Sequence, residues 1–308
     1  MQHETGALLP AMIEARDRFM ELVGDLRPEL HRYCARMTGS VFDGEDVVQD
    51  TLAKAYYALG QMREPPNLKP WLFRIAHNTA MDLLKRYEHK HVEPVSEVPE
   101  RAESEDAGID PELVESALTV FVELPPVQRA AIVLKDVLGH SLEEVATTMG
   151  TTVGAVKAAL SRARANIAPR SVPASARVPV LSAEERANLQ RYVDLFNDRN
   201  WAALRELLTE EARLEQVSLV QRRVKDAGYF DRYAEVVKSE DIRAALGFAD
   251  GVATIAMFRT TSSTKPAYFV LLDWEQGRIS HIRDFRYVSY IAGEARFRSI
   301  NLGSGRPS

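Results

Sequence analysis

Hydrophobic positions in this chain follow a helical rhythm through the first half and a strand rhythm near the end. Leu142, Val145, Ala146 and Met149 recur at i, i+3, i+4 and i+7, the spacing that gathers side chains on one helical face. Ser141 with Glu144 three residues on predicts a capping box at the start of that helix, and Gly150 supplies the left-handed residue that ends it. A second stripe follows, Val153, Val156, Leu160 and Ala163, so 141–164 reads as helix, tight turn, helix. Upstream, Val48, Leu52, Ala55 and Leu59 mark the buried face of a helix capped by Asp43, with Asp46, Gln49, Asp50 and Ala53 on the opposite stripe. Gly60 to Pro70 is a loop with three prolines, and Pro70 suits the first turn of a further helix. Leu72, Ile75, Ala76, Thr79 and Leu83 run along its inner face.

The last third is different. Ala183 to Asn197 is predicted as an amphipathic helix with Leu189, Tyr192, Val193 and Phe196 on one side, and Trp201 to Leu208 as a second short helix. Alternation then predicts strands at Val252–Phe258, Tyr268–Trp274 and Ile279–Tyr287, the last two joined by a hairpin turn at 275–278. Helices followed by a curved antiparallel sheet give an α+β cone.

Composition divides these patterns. From His91 to Glu112 there are eight acids and one strong base, Arg101, a segment too polar to fold alone. Pro169, Pro173 and Pro179 interrupt 168–182. The predicted organisation is therefore 10–90, an acidic linker at 91–112, 113–167, a proline-containing connector at 168–182, and 183–295; the tail after Ile300 reads as disordered. The net charge of −5 argues against a chain that coats nucleic acid by itself, so any DNA contact should be local or need a partner with more positive surface. Cys34 is the sole cysteine, which excludes a disulfide framework and a cysteine-based zinc site. No metal or cofactor is expected. No secretory signal or membrane-length apolar run is visible, and a cytoplasmic setting without membrane contact is the expectation.

Candidate chemistry lies off the apolar stripes. Lys157, Ser161, Arg162 and Arg164 share the second helix of the helix-turn-helix with no acid among them, as suits a helix laid in the DNA major groove; the alternative is a solvated basic face. Arg74, His77, Asn78, Lys85 and Arg86 accompany Trp71 and Phe73 on the helix from Pro70. Cations beside rings suit single-stranded DNA, the alternative being core aromatics with snorkelling bases. The acids near Asp46 are also explained by a positive helix end.

Order and spacing together resemble the extracytoplasmic-function (ECF) group of sigma factors. The carrying residues are ELHRYCARMTGSVFDGEDVVQDTLAKAYYAL, KPWLFRIAHNTAMDLLKR and LPPVQRAAIVLKDVLGHSLEEVATTMGTTVGAVKAALSRAR, over about 10–167. The resemblance implies a sigma-two helical bundle at 10–90 and a sigma-four helix-turn-helix domain at 113–167. It implies docking of Asp46, Gln49 and Asp50 on core RNA polymerase, with Asp50 standing where glutamate is commoner. It assigns the promoter's minus-ten element to Met62, Arg63, Arg74, Asn78, Lys85 and Arg86. The loop that captures a flipped base commonly carries an aromatic, and this chain has Met62 and Arg63 there. It assigns the minus-thirty-five element to Thr152, Lys157, Ser161, Arg162 and Arg164, with Ala155 and Ala158 facing outward beside them. The acidic linker is expected to thread near the polymerase active-site channel.

The phrase LQRYVDLFNDRNWAALRELLTEEARLE and the closing ISHIRDFRYV resemble the SnoaL-like branch of the nuclear-transport-factor-two-like superfamily, over about 183–291. The DGGGK-type motif of one sigma group with such a fusion is absent, and RRVKDAGYFDRYAEV fills the middle. This resemblance places Asp284 as a cavity carboxylate, a weak candidate for a catalytic base, with Tyr229, Tyr233 and His281 as partners by residue type. The bland alternative is a structural aspartate paired with an arginine. The reading is a multidomain, non-enzymatic sigma factor: two all-α sigma domains, then an α+β cone-shaped SnoaL-like domain that modulates activity through a small-molecule ligand or an intramolecular contact. The competing reading is an isomerase or cyclase with a DNA-targeting amino half.

Overall fold

The computed structural model describes residues 14–15, 17–64, 66–90, 121–167, 181–218, 220–224, 228–259 and 263–300. The acidic linker, nearly all of the proline-containing connector and the tail after Ile300 lie outside the described residues. The chain divides into two compact units, Met1–Ala176 and Arg177–Ser308.

The first unit is helical. Its elements are α1 (Arg27–Thr38), α2 (Val41–Leu59), α3 (Leu68–Lys90), α4 (Pro126–Ile132), a π-helical turn (Val133–Val137), α5 (Leu142–Met149) and α6 (Val153–Ile167). The cap of α2 is Ser40, not Asp43: its Oγ accepts from the Phe42 and Asp43 amides, and Asp43 sits in the first turn. Three residues of the expected loop, Leu68, Lys69 and Pro70, belong to α3, which starts at Leu68. The capping box of α5 is present, with Glu144 Oε2 2.7 Å from the Ser141 amide, and Gly150 ends the helix at φ +62°. The periodic apolar positions are buried as their spacing predicts, Val48, Leu52 and Ala55 in α2 and Val156, Leu160 and Ala163 in α6.

Where α1 and α2 cross, Gly44 is required. A Cβ there would lie 2.5 Å from the Ala35 backbone nitrogen. Beside the crossing, Arg27 and Glu45 form a buried ion pair that joins the two helices.

The two helical blocks separated by the acidic linker share one continuous hydrophobic core. Buried Arg129 of α4 donates to the carbonyl of Met37, near the end of α1, and to those of Val122 and Leu124. A Cβ on Gly39, the left-handed residue after α1, would meet the Val122 side chain at 3.0 Å. Phe73 of α3 packs edge-on against His140, and His140 lies 3.4 Å from Glu29.

The second unit opens with α7 (Ala183–Asn197), capped by a Ser182–Glu185 box, and α8 (Trp201–Glu206). β1 (Leu208–Gln216), β2 (Val220–Arg223), α9 (Tyr229–Val236), β3 (Arg243–Ala249), β4 (Val252–Phe258), β5 (Tyr268–Glu275), β6 (Arg278–Asp284), α10 (Tyr290–Glu294) and β7 (Phe297–Ser299) follow. The sheet order is β2-β1-β6-β5-β4-β3-β7. It is mixed rather than antiparallel, because β1 runs parallel to β6. Leu208, expected to end a helix, begins β1, and β6 stops at Asp284 rather than Tyr287. The β5–β6 hairpin closes as expected: Gln276 at φ +51° and Gly277 at φ +75° fit a type I′ turn.

One sheet face packs under α7 and α9 around Phe196, Tyr192, Phe230 and Tyr233. On β3, Gly247 has no side chain because Phe297 fills its place; a Cβ would sit 2.3 Å from that ring. Phe297 in turn contacts Phe258 and Phe269.

Candidate nucleic-acid interface and a buried carboxylate

On α3 the periodicity that buries Leu72, Phe73, Ala76, Thr79 and Ala80 turns Arg74, Asn78, Lys85 and Arg86 to solvent. Asp82 is exposed among them, an acid that the sequence reading did not single out. The aromatics do not join this face. Phe73 is fully buried, edge-on to Tyr33, and is not presented for base stacking, while Trp71 is half-buried against the core. His77 is buried too, its Nδ1 2.7 Å from the Tyr33 hydroxyl, and burial pushes the imidazole down to about 4. It is neutral at ordinary pH and unsuited to a phosphate. Met62 and Arg63 are both exposed in the loop before α3.

On α6, Thr152, Lys157, Ser161, Arg162 and Arg164 are all exposed. Two have local duties. Thr152 caps the helix, its Oγ1 accepting from the Ala155 amide at 3.2 Å. Arg164 is held by both oxygens of Asp136, the shorter contact 2.8 Å, and is engaged within the fold. Lys157 and Arg162 are the cations of the face that have no hydrogen bond or ion pair among the described residues. Ala155 is exposed, whereas Ala158 is half-buried rather than fully outward.

On α2, Asp50 is exposed, and Asp46 and Gln49 are half-buried. They lie on the stripe opposite Val48, Leu52 and Ala55.

In the second unit Asp284 is 1% exposed at the end of β6. Tyr229 and Tyr233 each donate to its Oδ2 at 3.0 Å, and the Arg286 amide donates to Oδ1 at 2.9 Å. Burial pushes its carboxyl above the ordinary carboxylate range, and these three donors act against the shift. A carboxylate with three donors is committed to the fold and poorly placed to take a substrate proton. Its partners are phenols and an amide, not an arginine side chain: the Arg286 guanidinium goes to Glu240 at 3.3 Å and lies over the Tyr233 ring. His281 falls on the opposite face of β6, where alternation sends it outward to Asp273 and Glu215. A cavity of about 470 Å³ opens beside Tyr229, Tyr233, Asp284 and Arg286, with Gln216 and Tyr287 also in its wall. Among the described residues no cluster of His, Cys, Asp or Glu could hold a metal ion, and no helix is long and apolar enough to cross a membrane.

The family models that match fall in the first unit, while two of the relatives extend over most of the chain. Residues 22–89 match the family Sigma-70 region 2, and residues 115–167 match Sigma-70, region 4. Over 303 residues the chain is 30% identical to the ECF RNA polymerase sigma factor SigG of Mycobacterium tuberculosis, covering 88% of this chain and 82% of that protein. Among solved structures it is similar to the sigma factor RpoE in complex with the anti-sigma factor NepR from Bartonella quintana. That likeness has 27% identity and a TM-score of 0.38, covering 49% of this chain and 94% of the other. The crystal structure of the Mycobacterium tuberculosis ECF sigma factor SigJ matches at 18% identity and a TM-score of 0.34, covering 88% of this chain and 98% of the other.

Proposed function

The chain belongs to the ECF RNA polymerase sigma factors, and from that premise we propose that it loads onto core RNA polymerase, recognises a two-part promoter and helps to melt it. In this reading Asp46, Gln49 and Asp50 dock on the polymerase. Arg74, Asn78, Lys85 and Arg86, with Met62 and Arg63 in the preceding loop, engage the minus-ten element. Lys157, Ser161 and Arg162 meet the minus-thirty-five element, where Arg164 contributes only after leaving Asp136. The observation that carries the reading is the pair of exposed polar faces on α3 and α6, each backed by a buried apolar stripe in one helical unit. The chain's net charge of −5 is compatible with it, because the polymerase supplies most of the phosphate grip.

The second unit would be a SnoaL-like domain that modulates sigma activity, by contacting the sigma domains or by binding a small molecule in the cavity beside Asp284. The acidic linker would thread near the polymerase active-site channel. A keto-substrate isomerase or cyclase finds less support, because the lone pairs of Asp284 already face three donors.

The test mixes the purified chain with core polymerase on gel filtration and maps transcripts made by the mixture. Co-elution and initiation at discrete sites are expected; a chain that ignores core polymerase defeats the proposal. Ending the chain after about Arg170 should change promoter output, and unchanged output removes the regulatory role of the second unit.

A further inference from the structure

Tyr57 is the most exposed of the large hydrophobic side chains described, at 72%. It has no hydrogen bond or ring contact among the described residues, while its neighbour Tyr56 turns inward against Phe19 at 5.6 Å. With a turn every ~3.6 residues, Asp46, Gln49, Asp50, Ala53 and Tyr57 fall on one stripe of α2, and Tyr57 lies on its midline about 16 Å along the axis from Asp46. The one cation within the sequence of α2, Lys54, donates to the Thr79 hydroxyl at 3.0 Å. The stripe therefore presents acids, an alanine and an aromatic ring. Within it Gln49 Nε2 is buried without a hydrogen-bond partner, and Asp50 has no ion pair among the described residues.

We propose that Tyr57 is an aromatic anchor of the polymerase-docking surface. Its ring packs on the stem of a basic side chain of core RNA polymerase, and Asp50 and Asp46 face the cationic surface around it. This rests on the polymerase reading above. The chemistry fits one kind of partner: an acidic stripe complements a basic surface, and an exposed ring on it binds cations and carries an outsized share of interface energy. A tyrosine serving the fold would be packed, as Tyr33 and Tyr56 are.

The test measures binding of the full-length chain to core polymerase for wild type, Tyr57→Ala, Tyr57→Phe and, as a control at an exposed apolar residue outside the proposed sites, Val252→Ala. Tyr57→Ala should weaken binding about tenfold or more, mainly through faster dissociation, with an unchanged melting temperature. Tyr57→Phe keeps the ring and should stay within about threefold of wild type, as should Val252→Ala. Wild-type binding with an equally tight Tyr57→Ala overturns the anchor while leaving the polymerase reading intact. A wild-type chain that does not bind core polymerase overturns both.

Discussion

In the helical unit the cations assigned to DNA stand in water, whereas in the sheet unit the carboxylate that sequence singles out is closed off behind two phenols and an amide. Arg74, Lys85, Lys157 and Arg162 sit on helix faces whose opposite sides build the core, so they can change without disturbing it. Asp284 is itself part of a core. A charge left in water is available to a partner, while a charge drawn inward with its donors arranged around it is an element of architecture. The same contrast appears inside the helical unit, where His77 and Phe73, which look like ligands of nucleic acid in the sequence, are core residues.

The largest effect that could break this comparison concerns the two glycines where each unit is tightest. Gly44→Ala drives a methyl into the Ala35 backbone, and Gly247→Ala drives one into Phe297 and the Arg298 carbonyl. Each should destabilise its own unit by about 3 kcal/mol. Calorimetry should show one transition falling in each variant while the other stays; both falling together would mean that the units do not fold separately.

The next effect separates the units by pH. His77 is held at about 4 in the fold, against an ordinary value near 6.5. The unfolded chain takes up this proton first as pH falls, so the helical unit should lose stability from about pH 6.5 down to about 4, by up to about 3 kcal/mol. Asp284 is raised, so the unfolded chain gives up its proton first as pH rises. The sheet unit should therefore lose stability as pH climbs from the ordinary carboxylate range toward the higher folded value, and regain it on acidification. Acidification from pH 7 to 5 should lower the first melting transition relative to the second. Parallel movement that persists in His77→Gln would remove histidine burial as the cause.

The smallest effect sharpens the contrast between free and engaged cations on α6. Lys157→Ala and Arg162→Ala should each weaken promoter binding by the loaded chain several-fold, on the order of one released counterion apiece in the salt slope. Arg164→Ala should cost less, because Asp136 already holds that guanidinium. Asp136→Asn should cost under about 1 kcal/mol of stability and tighten promoter binding slightly by releasing Arg164. Equal losses for all three cations would show that the Asp136 pair opens on DNA.

Local signals were readable. The Ser141–Glu144 box, Gly150 and the strict stripe of α6 located the helix-turn-helix, and α7 has the bounds its periodicity predicts. Partners distant in sequence were not. Ser40 outcompeted Asp43 as a cap because its hydroxyl stands one residue before the helix, a distinction too fine for periodicity. β1, LTEEARLEQ, is charged along half its length and exists because β6 offers it a parallel edge. β3, RAALGFA, carries a glycine at its fifth position because Phe297, fifty residues on, occupies the room there. The tyrosines at Asp284 were nameable by type but not by contact, whereas alternation along β6 already separates His281 from Asp284, three residues on. Nothing local to Arg164 announces Asp136, 28 residues earlier.

Arg129 has one more consequence. Its guanidinium serves the Met37 carbonyl of one block and the Val122 and Leu124 carbonyls of the other. A shorter or neutral side chain at that position would leave carbonyls of both blocks without their shared donor, so one residue fastens two stretches of chain that lie about 90 positions apart.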